Sequence, residues 1–203
     1  MTSEEVDKEL ALSYDELCQY LLEKYGAAEH DYFVNELCKT KNRKVVRSSE
    51  GLFCHHMDED KAILLSNPKW AVKNPFRYQK ADRLVYCNAL EHLILHIKIA
   101  EEPKKKGANE MEIQGIGGAV NFLIPELNHC YSGFKYKRTY EQRIYGLIAD
   151  NFDEYIKILR FWRRTTKTPL LLTAKRLSVD VYGNRVDRVY KAIKHRWWGA
   201  TRG

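Results

Sequence analysis

Apolar and polar positions alternate along this chain in a way that predicts many short helices and a few strands. Ser13-Tyr14-Asp15-Glu16 forms a capping box, with Leu17, Tyr20, Leu21 and Tyr25 following at helical spacing and Gly26 as the stop. A second helix is expected over Asp31 to Leu37, then a basic polar break over Lys39 to Lys44. Val45-Val46-Arg47 and the run Leu52 to His56 read as strands joined by the turn Ser48-Ser49-Glu50-Gly51. Asp58 to Leu65 reads as a helical turn, and Asn67-Pro68 and Asn74-Pro75 mark an irregular connection. Arg83 to Tyr86 is the next strand. From Asn88 a helix follows, with Leu90, Leu93, Ile94 and Ile97 in one apolar stripe.

Glu101 to Gly107 is the best linker candidate. Beyond it, helices are expected over Val120 to His129, Tyr140 to Asp150 and Phe152 to Trp162. A short β-turn-helix unit then runs from Thr173 to Trp198. The fold class is therefore α+β and mainly helical, without internal repeats. It divides into an N-terminal helical segment (1–44), a central module (45–102) and a basic helical region (103–203).

At 203 residues and 44% hydrophobic, the chain can bury a real core, which excludes collagen-like and wholly disordered proteins. No apolar run approaches the roughly 20 residues needed to span a bilayer, and the acidic N-terminus lacks a signal-peptide core. A cytoplasmic protein with no membrane partner is expected. Five cysteines without a Cys-x-x-Cys pair speak for buried thiols rather than disulfides or a zinc ribbon.

The net charge of +7 is unevenly spread: residues 135–203 carry 17 Lys and Arg against 6 Asp and Glu, leaving 17 basic and 21 acidic residues before them. Such a basic end suits a polyanion, nucleic acid being the commonest in a cell. Arg163 and Arg164, then Arg185, Arg188, Lys191 and Lys194 on the last helix, are the candidate phosphate contacts. Trp162, Trp197 and Trp198 are read as core or anchor residues. Gly115-Ile116-Gly117-Gly118 would need a glycine at Val120 to complete a dinucleotide loop, so it is read as a turn or tight helix start.

Four of the seven histidines fall in two tight groups, His55-His56 and His92 with His96. Spacing of four on a helix puts His92 and His96 on one face, as two ligands of one metal require. On a strand, His55 and His56 point to opposite sides, so one can face a metal and the other a substrate. Asp58-Glu59-Asp60 lacks the glycine and distal glutamate of an EF-hand.

Strand, insert, strand and helix in this order, with these histidines, resemble the HNH endonucleases, the ββα-metal or His-Me finger family, in its phage- and restriction-associated branch. The likeness runs from Gly51 to Lys98 and implies a ββα-metal finger embedded in a mainly helical chain. It implies a divalent metal on His55, His92 and His96, with Mg²⁺ or Mn²⁺ favoured for turnover and Zn²⁺ or Ni²⁺ also suited to three imidazoles. His56 is the implied general base and Lys80 or Arg83 the implied phosphate stabiliser; Asp58, Asp60 and Glu91 are candidates to fix histidine tautomers.

Where the family has an asparagine nine residues before the first helical ligand, this chain has Arg83. An arginine has no acceptor, so Asn67, Asn74 or Asn88 would have to replace that amide. The expected function is a metal-dependent DNA endonuclease of restriction, phage or mobile-element type, a homodimer if its target is palindromic. The alternatives are a catalytically weak nucleic-acid-binding regulator or inhibitor on the same scaffold, and an RNase.

Overall fold

A computed structural model describes residues 1–101, 115–165 and 172–195. Linker candidates beyond Glu101, together with Trp197 and Trp198, lie outside the described residues. Two helices open the chain, α1 (Ser3–Ala11) and α2 (Tyr14–Tyr25). Each starts with a capping box, Thr2 with Glu5 and Ser13 with Glu16, which satisfies amide groups that the first turn leaves bare. Gly26 ends α2 at φ +80°, as expected.

Strand β1 (Phe53–His56) is followed by the short helix α3 (Pro68–Ala71) and by β2 (Leu84–Cys87). The two strands pair antiparallel, with His55 opposite Val85 and His56 opposite Leu84. Asn88 then starts α4 (Ala89–Glu101) with no intervening loop. Its Oδ1 accepts from the backbone N–H of Leu90 and Glu91, while Glu91 Oε2 accepts from its own N–H. This reciprocal cap locks the strand-to-helix junction.

Helix α4 is the centre of the molecule. Leu90, Leu93, Ile94, Leu95 and Ile97 have no exposed surface, and Ala89 and Ile99 are buried too. The expected single apolar stripe is thus a helix buried nearly all round. Around it stand α1, α2 and a helical stretch comprising α5 (Ile116–Gly118), a π-turn over Ala119–Leu123 and α6 (Ile124–Tyr131). Pro125, which lacks an N–H, stands just after the π-turn. Helices α7 (Thr139–Gly146), α8 (Phe152–Thr165) and α9 (Asp187–His195) complete the chain, with α9 resting on α6 and α8. One hydrophobic cluster draws on residues from Val6 to Ile193, Trp162 among them as a core residue.

Two expected elements differ. Asp31 to Leu37 is not a helix: Tyr32 N–H donates to Gln79 O, Phe33 bridges Lys41, and Val34 and Leu37 are exposed. Tyr32 and Phe33 instead anchor a second cluster with Val45, Leu52, Leu84 and Tyr86. Val45-Val46 is not a strand either; Asn42 caps a 3₁₀ turn over Arg43–Val45 that drops Val45 into the same cluster. The tail unit is a single bridge, Val179 to Arg185, ahead of α9. The described chain is thus mixed helix and strand, mainly helical with a two-stranded sheet, and none of its helices is long and apolar enough to cross a membrane.

One carboxyl of this core is under tension. Glu9 is fully buried, its oxygens make no hydrogen bond, and it shares Lys24 with Glu91 and Glu5. Burial, then the nearby Glu91 charge, pushes its pKa up to about 8. A raised acid favours the fold below its unfolded value and loses that advantage as pH climbs towards 8. Glu9→Gln should therefore melt higher than wild type at pH 8.5, by about 5 °C, and lose that lead at pH 5. Equal melting curves at both pH values would contradict the assignment.

Candidate metal centre

Three imidazoles converge between β1 and α4. The ring centroids of His55, His92 and His96 lie 5.0 to 5.4 Å apart, and one nitrogen of each falls within 4.8 Å of the others. The strand supplies one and the helix supplies two a turn apart, as the spacing predicted. His55 and His96 are buried, with His92 beside the ring of Phe53. Three buried nitrogens in the cluster, Nδ1 of His55, His92 and His96, find no hydrogen-bond partner among the described residues. Buried polar atoms are rarely left so, which fits donors prepared for a ligand that completes them.

Tyr14 from α2 orders His55. Its hydroxyl stands 2.9 Å from His55 Nε2 and 3.3 Å from the carbonyl oxygen of Met57. We assign the proton of His55 to Nε2, donating to the phenol oxygen, while the phenol donates to the carbonyl. This leaves Nδ1 as the free lone pair.

His96 is fitted from the other side by glycines. A side chain at Gly118 would come within 2.4 Å of the His96 ring, and one at Gly115 within 2.4 Å of the His96 carbonyl oxygen. Gly115 also sits at φ +89°. The Gly115-Ile116-Gly117-Gly118 motif is indeed a tight helix start, and it allows close approach to a histidine.

His56 points the other way, against Tyr32 and Gln79. Gln79 is fully buried; its amide nitrogen donates to Leu65 O at 3.2 Å, which fixes its oxygen towards His56 Nε2 at 2.8 Å. Since an amide oxygen only accepts, Nε2 carries the proton and Nδ1 keeps its lone pair. That Nδ1 stands 3.7 Å from Glu59 Oε1. The amide that orients this histidine comes from Gln79. Asn67 caps α3, Asn74 binds Trp70 O and Asn88 caps α4.

The carboxylate facing the imidazoles is Glu59, which sequence reasoning passed over inside an acidic run. Its Oε2 lies 3.8 Å from His55 Nδ1 and 3.3 Å from His96 Nε2, and its Oε1 lies 3.7 Å from His56 Nδ1. Burial would raise its pKa, but the fields of His55 and His96 and the proximity of His56 take it below the ordinary carboxylate range.

The expected auxiliary residues have other partners. Asp58 accepts both Arg83 Nε and Nη2, at 2.8 and 2.9 Å, and Lys61 at 2.7 Å. Arg83 is therefore half of a bidentate pair. Glu91 holds Lys24, Tyr25 and the cap of α4. Lys80 pairs with Asp31 at 2.9 Å.

In the basic region, Arg185 pairs with Asp187 and the Arg188 guanidinium covers the Phe152 ring at 3.6 Å. Arg163 is partly buried, while Arg164, Lys191 and Lys194 are exposed.

No family model, curated protein or solved structure matches the chain.

Burial pushes the His55 pKa down to about 3 and lowers those of His92 and His96. An imidazole lowered in the fold stabilises it above its unfolded value of 6.5, and that contribution is lost as pH falls. Metal-free protein should lose melting temperature steadily from pH 7 to pH 4, with a shallower slope in His92→Leu. Parallel slopes, measured by circular dichroism, would show that these imidazoles do not carry the pH dependence.

Proposed function

We propose that this chain is a divalent-metal-dependent endonuclease of the HNH type, hydrolysing phosphodiester bonds of DNA on a ββα-metal finger formed by β1, β2 and α4. The observation that carries the reading is the pairing of two features. Three imidazole donors from strand and helix converge within 4.8 Å, and the adjacent His56 is held as the tautomer a general base needs. A divalent ion on His55, His92 and His96 would supply positive charge to a phosphate oxygen and to the leaving oxygen.

The remaining work belongs to side chains. Nδ1 of His56 takes a proton from the attacking water, and Gln79 keeps the ring turned so that this nitrogen faces the site. Once protonated, Nδ1 finds an acceptor in Glu59 Oε1, 3.7 Å away. The loss of the family's asparagine at Arg83 does not argue for a dead scaffold, because Gln79 supplies an orienting amide from another position. Lys191, Lys194 and Arg164 offer exposed positive charge for the polyanion, which supports DNA as substrate.

Supercoiled plasmid incubated with Mg²⁺, Mn²⁺ or Zn²⁺ should be nicked or linearised. His56→Ala should lose about 10²–10⁴-fold in rate, and Gln79→Leu should lose activity while keeping its fold and metal affinity. Cleavage of RNA with DNA left intact would reassign the substrate. Binding without any cleavage would make the chain a nucleic-acid-binding regulator.

Substituting Lys191 and Lys194 together by alanine should weaken DNA binding uniformly across sequences. It should also reduce the slope of log K against log salt by about 1 per lysine. An unchanged slope, read by fluorescence anisotropy, would remove α9 from the interface.

A further inference from the structure

Directly after β1 the chain folds back, with the Glu59 N–H donating to His56 O at 3.1 Å. This turn sets the Glu59 side chain beside the end of the strand that carries both His55 and His56. Its neighbour Asp58 is turned towards Arg83 and Lys61, so of these two carboxylates Glu59 is the one presented to the imidazoles. Donor atoms held 2.0–2.2 Å from one tetrahedral ion stand roughly 3–3.5 Å apart. Glu59 Oε2 is 3.3 Å from His96 Nε2 and 3.8 Å from His55 Nδ1, close to the spacing of donors that share an ion. The donors mutually within 4.8 Å are His55, His92 and His96, so Glu59 completes the set by a side-chain shift towards His92. The carboxylate faces imidazole nitrogens of His55, His56 and His96, and its side chain is only 15% exposed.

We propose that Glu59 Oε2 is a fourth donor to the metal, completing a three-histidine, one-carboxylate site. This rests on the reading of His55, His92 and His96 as a metal centre. Three nitrogens and one oxygen favour Zn²⁺ or Co²⁺ over Mg²⁺, which prefers an oxygen shell and retains its waters. The two oxygens of Glu59 have separate duties: Oε2 binds the ion, while Oε1 stays towards His56 Nδ1. A metal held by these four side chains would be enclosed by protein donors, with Glu59 the ligand a phosphate oxygen would have to replace.

The test is a Co²⁺ titration of the metal-free full chain, without nucleic acid, followed by visible absorption. Wild type should give the intense band of four-coordinate Co²⁺. Glu59→Gln and Glu59→Ala should each bind roughly 10- to 100-fold more weakly with a shifted band, and His92→Ala should lose the band.

Two Glu59 variants that bind as tightly as wild type, with an unchanged spectrum, would overturn the fourth donor while leaving the histidines in place. A His92→Ala protein that binds like wild type would overturn the metal centre itself, and this proposal with it. Should Glu59→Ala fail to fold by circular dichroism, Glu59→Asp keeps the charge on a shorter arm and should fall between wild type and Glu59→Gln.

Discussion

Helix α4 must do two things that usually exclude each other: it is buried on nearly every side, and it carries imidazoles towards a polar cluster. The cap at Asn88 reconciles them. Because Asn88 and Glu91 satisfy each other's backbone and side-chain groups, the helix begins at Ala89 with only Asn88 between it and β2. No slack separates strand from helix, so the pairing of β1 with β2 sets the position of His55 relative to His92 and His96. A looser junction would let those rings drift apart by more than a metal–ligand bond tolerates. Helices α1, α2, α5 and α8 and the π-turn pack around that one helix and bury it.

Much of this was legible in the chain. Ser13 with Glu16, Gly26, and the strand before Asn88 have local causes that act within a few residues. Histidines four apart announce their common face for the same reason. What escaped was decided by distant partners. Tyr32, Phe33 and Leu37 sit at spacings compatible with a helix, yet the backbone of Tyr32 is claimed by Gln79, more than forty residues on. Val45 and Val46 favour strands by propensity, but Asn42 and the core below Val45 impose a 3₁₀ turn. Glu59 sits in an acidic triplet of the kind that faces solvent, and only tertiary closure turns it inward. Gln79 carries no local mark at all.

Charge follows an economy around the cluster. The carboxylates near the histidines have distinct sets of partners: Asp58 holds Arg83 and Lys61, Glu91 holds Lys24 and the helix cap, and Glu59 faces imidazoles. Buried charges persist where they are paired in this way. Glu9 is the exception, since it competes with Glu91 and Glu5 for one lysine. That arrangement places the least comfortable group of the core at the seam between α1, α2 and α4, away from the imidazole cluster.

The bare faces of Gly115 and Gly118 against His96 mean that the chain beyond α4 has a direct mechanical grip on a histidine of the cluster. These glycines lead into a π-turn, a helical segment wound wider than its neighbours. A change of winding there would act as a lever on the His96 ring, with no side chain between to absorb the movement. Packing on this side of α4 thus bears directly on the ring of His96.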